Sequence, residues 1–431
     1  MKFRMITLGC KVNEYESEFY QEQMRSKGFE KAEGDEPAEV CIINTCTVTN
    51  TAARKSRQKI HRARRENPGA MIVVVGCYAQ TMEEEIREAL EADLVVGAVH
   101  KNQLADLIVQ KMNGTESEQE VLVEDVLHIM DFENMPIGSF EGQQRAFLKI
   151  QDGCNQYCSY CQIPLARGFE RCAIPEEVIK TAKALSDKGH QEIVLTGIHT
   201  GRYHFRGLKL AGLLKKLLEE TPESVKYRIS SIEITEVDDD LIGLMQQSDR
   251  ILPHLHIPVQ SACDATLRRM NRPYTVEEFK NRLAEIRKAV PEVSVSTDVI
   301  AGFVQESEEE FETTRANLED MGFSFLHVFP YSRRKGTKAD EMTGFVPDEE
   351  IKRRTRVLLD LSDRLRLQDM QRFDQVEILV ERPARDGLYA GYTANYQPAL
   401  ITSPKPLEGR IKAVVTGIQD GQLQVKVKEE C

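Results

Sequence analysis

Three cysteines lie within eight positions, at Cys154, Cys158 and Cys161, in the stretch QDGCNQYCSYCQIPLARG. They have CxxxCxxC spacing on one tight loop, and thiolates are the usual protein ligands of a [4Fe–4S] cluster. Three ligands leave one iron without a protein ligand, so a small molecule can chelate it there. A structural zinc site would need four closed ligands, and Cys172, eleven residues further on, is a weak candidate for the fourth. The loop therefore predicts an open iron–sulfur cluster.

A second set of cysteines, Cys10, Cys46 and Cys77, ends three predicted strands: KFRMITLGC, VCIINTC and MIVVVGC. Parallel strands place their carboxyl ends along one edge of a sheet, where open α/β sheets bind ligands. A free cysteine is often only a small buried hydrophobe, and Cys41 fits that interpretation. Three equivalent strand ends favour a shared thiolate site instead. That site would be an iron–sulfur cluster with one open iron, or a zinc site completed from elsewhere.

The elements that must position these cysteines fall into three regions of an α/β chain. In residues 1–104, β-branched runs alternate with helical patterns, which predicts a parallel sheet buried on both faces. Residues 105–140 are polar and acidic and are predicted to form a linker with one strand pair. Residues 141–370 repeat strand and helix six times, which predicts a full or partial parallel barrel with its chemistry at the carboxyl ends of the strands. Short strands with Gly, Asn and Pro turns in residues 371–431 predict a small antiparallel β-barrel.

Composition sets the broad class of the protein. The chain has 431 residues, 41% hydrophobic and 29% charged, as in ordinary globular proteins. No apolar run is long enough to cross a bilayer, and the N-terminal stretch is too short and too charged for a secretory signal. We therefore expect a cytoplasmic protein without a membrane partner. Its ten cysteines would then be mostly reduced, which favours metal or redox chemistry over disulfides.

Charge leaves nucleic acid open as a partner. A net charge of −12 argues against an indiscriminate polyanion binder, but the runs RKSRQKIHRARR, SRRKGTK and KRRTR could form a local phosphate-binding rim. A lone charge run is usually a solvated surface. We take Arg334 and Lys335 as candidate phosphate contacts. Tyr392 and Tyr396 could stack on unpaired bases, or either could pack in the core of the small barrel.

The cysteine loop resembles that of the radical S-adenosylmethionine superfamily. GCNQYCSYCQIPLARG, together with TLGCKVNEYESE and INTCTVT, is similar to the methylthiotransferases over nearly the whole chain. NTCTVTNTAARKSR most resembles the subgroup that acts on N6-threonylcarbamoyladenosine beside the tRNA anticodon. The resemblance implies a partial (β/α)6 barrel and a second [4Fe–4S] cluster held by Cys10, Cys46 and Cys77. It also implies that the C-terminal barrel, with GYTANY, is a TRAM-like RNA-binding domain.

The resemblance further implies a reaction. The barrel cluster would bind S-adenosylmethionine, and one-electron reduction would give a 5′-deoxyadenosyl radical that abstracts hydrogen from C2 of adenine. The second cluster would deliver a sulfur methylated by a second S-adenosylmethionine. The candidate S-adenosylmethionine contacts lie at strand ends and could equally be buried, hydrogen-bonded barrel residues; they are Gly197, Glu233, Gln260 and Asp298. Partners would be a tRNA, an electron donor such as flavodoxin or ferredoxin, and a sulfur source.

Other interpretations remain open. A methylthiotransferase could act instead on isopentenylated adenosine in tRNA or on an aspartate of a ribosomal protein. An iron–sulfur electron carrier would not need six barrel strands. A noncatalytic RNA-binding protein stabilised by zinc is a third class. Metal content separates them, because iron with acid-labile sulfide indicates clusters and zinc alone indicates the third class.

Overall fold

The computed structural model describes residues 1–89, 92–114, 119–385 and 387–428. Some residues of the predicted regions lie outside the described residues: 90 and 91 in the first region, 115–118 in the predicted linker, and Cys431 at the end of the predicted small barrel. Within the described part of the chain, no helix is both long and apolar enough to cross a membrane.

The N-terminal region is a six-stranded parallel sheet with the strand order β2-β1-β3-β4-β5-β6. Its strands are β1 (Lys2–Thr7), β2 (Glu30–Lys31), β3 (Val40–Thr45), β4 (Met71–Gly76), β5 (Leu94–Val96) and β6 (Glu120–Leu122). Its helices are α1 (Lys11–Ser26), α2 (Asn50–Glu66), α3 (Cys77–Thr81), α4 (Glu83–Ala89) and α5 (Leu104–Asn113). The central strand β3 is buried at every position, as expected for a sheet covered on both faces.

The sheet continues past residue 104, into the segment predicted to be a linker. That segment contributes α5 and β6, and β6 pairs in parallel with β5. The short apolar run of β6 was expected to pair locally, whereas it adds to the edge of the existing sheet. The N-terminal sheet therefore extends to Leu122.

The central region is an open parallel barrel. Sheets β7-β10-β13 and β14-β15-β16 are each parallel, and a parallel bridge between Ser231 and His256 joins them. Its strands are β7 (Arg145–Lys149), β8 (Gln151–Asp152), β9 (Arg171–Cys172), β10 (Glu192–Thr196), β11 (His204–Phe205), β12 (Leu208–Lys209), β13 (Lys226–Ile229), β14 (His254–His256), β15 (Ser294–Ala301) and β16 (Phe325–Pro330). Its helices are α6 (Ile163–Arg167), α7 (Pro175–Asp187), α8 (Leu210–Glu220), α9 (Asp239–Gln247), α10 (Asp264–Arg269), α11 (Val276–Ala289), α12 (Glu308–Met321) and α13 (Asp348–Met370). The six predicted barrel strands are confirmed.

Local sequence explains where the barrel helices begin. Thr275 and Glu278 form a capping box at the start of α11, and Ser307 and Glu310 form another at α12. Each box satisfies backbone N–H groups that would otherwise lack partners in the first turn. These caps fix the direction in which each helix returns to the next strand.

The C-terminal region is a closed five-stranded barrel with the order β17-β18-β19-β21-β20. Its strands are β17 (Gln375–Arg385), β18 (Leu388–Thr393), β19 (Pro398–Thr402), β20 (Arg410–Gln419) and β21 (Gln422–Val427). The predicted small barrel is confirmed. Its pairs are antiparallel except β19 and β21, whose parallel pairing closes the barrel.

Candidate active site

The cysteine loop follows β8 at the carboxyl end of the first barrel strand. Gly153 has a positive φ of +72°, which a residue with a side chain adopts only with strain, and this turn starts the loop. Backbone N–H groups of Gln156 and Ile163 donate to the sulfur atoms of Cys154 and Cys161, each at 3.4 Å. Helix α6 begins two residues after the last cysteine of the loop. The loop therefore holds two of its three half-buried thiols with its own backbone.

Two side chains from other loops of the barrel face these thiols: Arg272 lies between α10 and α11, and His199 follows β10. Arg272 donates from Nη1 to Cys158 Sγ at 3.3 Å and from Nη2 to Glu233. His199 Nδ1 lies 3.5 Å from Cys154 Sγ. Both side chains are buried. They place hydrogen-bond donors where anionic sulfur would need them.

Burial also controls the ionisation of the loop. Burial, followed by the charges of Cys158 and Cys154, raises the pKa of Cys161 to about 12. Burial lowers the pKa of His199, but hydrogen bonds to Cys154 and Glu236 raise it to about 10. Cys158 and Cys154 thus lie close enough to Cys161 for their charges to act on it. Because the Cys161 thiol is protonated at neutral pH, a metal that binds there must displace its proton.

The structure brings the three strand-end cysteines together at one edge of the N-terminal sheet. Cys10 precedes α1, Cys46 follows β3, and Cys77 begins α3 directly after β4. A Cβ added at Gly9 would lie 2.8 Å from Cys46 Cβ and 3.0 Å from its Sγ. Burial, followed by the charge of Cys77 and a smaller contribution from Cys10, raises the pKa of Cys46 to about 12. The convergence expected from strand order is therefore present in the structure.

Neither cysteine triad is compact enough for one metal ion. Among the described residues, the single group of three donors that all lie within 4.8 Å of one another is His256, Asp298 and His327. Thiolates around one zinc ion would be about 3.8 Å apart, given Zn–S bonds of about 2.3 Å in tetrahedral geometry. In each triad at least two sulfur atoms therefore lie more than 4.8 Å apart, which is wider than the spacing around one zinc ion.

A buried ion network joins the two triads and was not found by sequence reasoning. Arg167, the last residue of α6, donates from Nε to Cys77 Sγ at 3.2 Å and from Nη2 to Asn13 Oδ1 at 2.7 Å. Its Nη1 donates to Glu16 and to Asp152, both at 3.0 Å. One side chain of the cysteine-loop segment therefore contacts a thiol of the other triad.

The network carries more positive than negative charge. Four cations surround two carboxylates, all with side chains at most 5% exposed: Lys101, Lys149, Arg167 and Arg171 around Glu16 and Asp152. An uncompensated buried charge is costly, so an anionic group beside Arg167 would stabilise the network. The signal in the sequence is Lys149, a charged residue on a predicted buried strand.

The remaining described cysteines lie elsewhere. Cys41 is fully buried in the apolar cluster beneath β3 and β4, as its position in the strand predicts. Cys172 ends β9, and its Sγ lies 3.8 Å from the Arg202 carbonyl oxygen. Cys263 is buried just before α10.

The four predicted cofactor contacts lie in two groups. Glu233 reaches the cysteine loop through Arg272, as above. A Cβ at Gly197 would lie 2.9 Å from Gln151 Oε1, beside the start of the loop. Gln260 and Asp298 lie side by side on neighbouring segments of the sheet, where the backbone N–H of Gln260 donates to the Asp298 carbonyl oxygen at 2.8 Å, and Asp298 Oδ1 lies 3.2 Å from His256 Nε2.

The candidate phosphate contacts differ from each other in exposure. Lys335 is exposed, next to the N-terminus of α2. Arg334 is only 3% exposed and donates to Thr47 Oγ1 at 2.6 Å and to Gln162 Oε1 at 2.7 Å. Its guanidinium ties the last barrel strand to the N-terminal region, so the structure does not bring it to the surface where RNA was expected to bind. A charged run viewed in sequence does not reveal which of its members turns inward.

The two candidate stacking tyrosines contact each other and the central barrel. Tyr392 and Tyr396 stack with ring centroids 5.0 Å apart. Arg145 lies over both rings at 5.2 Å, and Arg228 lies 4.8 Å from the Tyr396 centroid. In this structure both rings face the base of the central barrel, which neither interpretation of the sequence anticipated.

Comparison with known families divides the chain in the same way. The model described as uncharacterized protein family UPF0004 matches residues 2–97. The radical SAM superfamily model matches residues 148–318. The first contains Cys10, Cys46 and Cys77, and the second contains the cysteine loop.

Similar proteins cover almost the whole chain. Threonylcarbamoyladenosine tRNA methylthiotransferase MtaB of Bacillus subtilis is 41% identical over 95% of this chain and 92% of its own. The enzyme of the same name from Aquifex aeolicus is 38% identical over 85% and 89%. A tRNA-2-methylthio-N(6)-dimethylallyladenosine synthase of Endomicrobium trichonymphae is 30% identical over 95% and 96%.

Solved structures support the fold. The radical S-adenosylmethionine methyltransferase TsrM of Kitasatospora setae matches with a TM-score of 0.57 at 13% identity, over 78% of this chain and 76% of that one. With relatives at this identity and coverage, and the fold in agreement, the chain belongs to the radical S-adenosylmethionine methylthiotransferase family.

Proposed function

We propose that this protein methylthiolates C2 of N6-threonylcarbamoyladenosine next to the tRNA anticodon, in the cytoplasm. The observation that carries the proposal is the convergence of six cysteines into two triads, joined by Arg167, in a chain 41% identical to a threonylcarbamoyladenosine tRNA methylthiotransferase. The relatives that act on dimethylallyladenosine are 30–31% identical. The substrate named for the more similar group is therefore the favoured one.

The chemistry of the donor sets fits two [4Fe–4S] clusters. Each triad offers three thiols that are too widely spaced for one ion, which supports a cluster over the zinc-stabilised alternative. Donors already face the sulfur atoms, from Arg272 on the barrel triad and from Arg167 on the N-terminal triad. The surplus of buried positive charge around Glu16 and Asp152 suits an anionic cluster. Cys154, Cys158 and Cys161 would hold one cluster, and Cys10, Cys46 and Cys77 the other.

When bound, the clusters supply an electron for the reductive cleavage of S-adenosylmethionine and a sulfur for insertion. The protein's own residues do the positioning. Glu233 is held by Arg272 beside Cys158, so its carboxylate can accept from the amino group of S-adenosylmethionine. Gly197 leaves room beside Gln151. Gln260 and Asp298 lie side by side at the barrel mouth and can bind the polar edge of the nucleoside.

Arg334 and Arg167 would keep the two triads at a fixed separation. Arg334 joins Thr47, one residue after Cys46, to Gln162, one residue after Cys161. Arg167 joins α6 to Cys77. Rigid positioning of reacting groups contributes strongly to rate, and these two ties connect the triads at two separate points.

The surface around Lys335 supports tRNA as the partner. Asn50 at the start of α2 donates to Ser332 Oγ and to the Arg333 carbonyl oxygen. Lys335 and the exposed Arg54 and Lys55 of α2 therefore form one basic surface beside both triads. We include the C-terminal barrel in the proposal as a TRAM-like RNA-binding domain. An electron donor such as flavodoxin or ferredoxin and a sulfur source complete the proposed partners.

Mass spectrometry of tRNA nucleosides from cells with and without this gene tests the proposal. We expect 2-methylthio-N6-threonylcarbamoyladenosine to disappear and its unthiolated parent to accumulate. Loss of the methylthio group from dimethylallyladenosine instead would identify the second substrate. An unchanged tRNA profile would contradict a tRNA substrate.

A further inference from the structure

The inner face of the barrel carries a row of polar side chains that, apart from Asp298, the steps above do not use. Along β15, Val295 and Val299 belong to the apolar core shared with the surrounding helices. Because side chains alternate along a strand, Ser296 and Asp298 face the opposite side, which is the interior of the barrel. The interior of this barrel is therefore polar near its mouth.

These groups form a continuous set of contacts, the polar strip, made of Tyr396, His254, Ser296, His256 and Asp298. The Tyr396 and His254 ring centroids are 4.9 Å apart. Ser296 Oγ lies 3.1 Å from His254 Nε2 and 3.0 Å from His256 Nδ1. His256 Nε2 lies 3.2 Å from Asp298 Oδ1 at the barrel mouth. Asn395 fastens the turn before Tyr396 to the barrel by donating to the carbonyl oxygens of Pro253 and Glu292, at 3.2 and 2.6 Å.

Three cations surround Tyr396, and one of them differs from the others. Arg228 and Arg145 are paired with the Glu192 carboxylate at 2.7 and 3.0 Å. The Lys11 ammonium lies 5.6 Å from the Tyr396 ring centroid, and no carboxylate among the described residues forms an ion pair with it. Lys11 thus lies at the interior end of the polar strip without an ion pair among the described residues, and Glu14 is the carboxylate that attracts its charge from further away.

Lys11 also lies next to the reacting centre in sequence. It follows Cys10, a proposed ligand of the cluster that would supply sulfur to C2. In adenine, N1 separates C2 from C6, so the bonds that leave the ring at C2 and at C6 point in different directions. With C2 at the N-terminal triad, the substituent extends away from Cys10, and so does the lysine side chain. The end of the Lys11 side chain is therefore suited to meet the end of the N6 substituent.

We propose that Lys11 binds the carboxylate of the threonylcarbamoyl group, with the polar strip facing its hydroxyl and carbonyl groups. This inference rests on the proposed function. It predicts discrimination against a dimethylallyl substituent, because an apolar group would leave the Lys11 ammonium without an ion pair. Sites built for polar groups reject analogues that lack them by factors of up to about 10⁴–10⁵.

Kinetics of the cluster-loaded enzyme on two modified tRNAs test this assignment. The substrates are one anticodon-loop sequence with either N6-threonylcarbamoyl- or N6-dimethylallyladenosine, and the variants are Lys11→Met, Lys11→Arg and Lys335→Met. For Lys11→Met we expect kcat/KM on threonylcarbamoyl-tRNA to fall roughly 10- to 100-fold, as for loss of a charged hydrogen bond. The loss should lie mainly in KM, and the preference between the two tRNAs should collapse. Lys11→Arg should retain part of the activity on threonylcarbamoyl-tRNA and part of the preference between the two tRNAs.

Lys335→Met is the matched control, because it removes an exposed lysine of the RNA surface and should affect both tRNAs equally. An unchanged preference in Lys11→Met would overturn the inference. So would an equal fall on both tRNAs with lower iron content, which would assign Lys11 a structural role beside Cys10. A wild-type enzyme without activity on threonylcarbamoyl-tRNA would overturn the proposed function itself, and the inference with it.

Discussion

The two cysteine triads are built in opposite ways. The barrel triad occupies eight consecutive positions, and backbone N–H groups within the same loop hold two of its sulfur atoms. The N-terminal triad draws one cysteine from each of three strand ends, and Cys46 and Cys77 are buried. A local loop specifies its own geometry, whereas a dispersed site depends on the order of strands in the sheet.

The two triads also differ in whether the charge of their cationic neighbours depends on pH. Arg167, which donates to Cys77, is fixed by a buried network and stays charged at any accessible pH. The barrel triad has an arginine of its own, Arg272, but also His199, whose charge depends on pH. The N-terminal triad therefore faces a donor whose charge does not change with pH. The barrel triad faces one such donor, Arg272, and one donor whose charge does change with pH, His199.

Removing a cysteine of the barrel triad should have the largest effect. We expect Cys158→Ala to abolish reductive cleavage of S-adenosylmethionine, because two thiolates from one loop cannot hold a cluster with an open iron. Chromatographic assay of 5′-deoxyadenosine after reduction measures this. Cys172→Ala, at a neighbouring cysteine outside the triad, is the control and should cleave normally. Normal cleavage by Cys158→Ala would refute the role of the loop.

Removing a cysteine of the N-terminal triad should distinguish the activities of the two sites. We expect Cys46→Ala to lose sulfur insertion while it keeps at least part of the cleavage activity, since the barrel loop is intact. Iron and sulfide content, 5′-deoxyadenosine and methylthiolated tRNA are measured on one preparation. Cys41→Ala, in the core of β3, serves as control and should retain both activities. Full cleavage with full thiolation in Cys46→Ala would show that the N-terminal triad is dispensable.

The different construction of the triads explains what could be predicted from sequence. The CxxxCxxC spacing identified the barrel loop directly, and three cysteines at strand ends indicated the other site because parallel strands share an edge. Strand periodicity likewise identified six barrel strands and the small C-terminal barrel. These predictions depend on short-range patterns and on one rule of topology.

Contacts between distant segments could not be predicted in this way. Arg167 appears in sequence as the end of a short helix, and only the docking of α6 beside α3 brings it to Cys77. Arg334 appears as part of an exposed basic run but is buried, because the segment after β16 packs against Thr47. β6 looks like a linker strand because its partner, β5, precedes it by more than twenty residues. In each case the partner lies on another element of the fold.

Two glycines should show which triad tolerates a backbone change. A Cβ at Gly153 would lie 1.9 Å from the carbonyl oxygen of Phe169, whereas at Gly9 the closest atom is Cys46 Cβ at 2.8 Å. Both residues have positive φ. We expect Gly153→Ala to cost more than about 3 kcal/mol and Gly9→Ala about 1–3 kcal/mol in folding free energy. Thermal unfolding and iron content of both variants test the order, and a more severe Gly9→Ala would reverse it.

The smallest expected effect is a pH dependence confined to the barrel triad. The pKa of His199 is raised from 6.5 to about 10 in the folded, iron-free chain. Its contribution to stability is therefore fully present below pH 6.5 and is lost as the pH rises towards about 10. We expect His199→Gln to remove about 1 kcal/mol or more at neutral pH, because a tenfold change in proton affinity corresponds to about 1.4 kcal/mol. Unfolding of the iron-free protein across this range measures it.

His190 provides a control of opposite sign in the same barrel. Burial lowers its pKa, so its contribution to stability is lost as the pH falls through 6.5, where the unfolded side chain gains its proton. His190→Gln should therefore reduce the loss of stability below pH 6.5. The loss of stability at alkaline pH should remain as in the wild type. Two outcomes would contradict the contrast between a titratable barrel site and a permanently charged N-terminal one. In the first, His190→Gln no longer loses stability at alkaline pH. In the second, His199→Gln still does. If the contrast holds, the difference traces to the residue chosen to face each sulfur atom, a histidine at Cys154 and an arginine at Cys77.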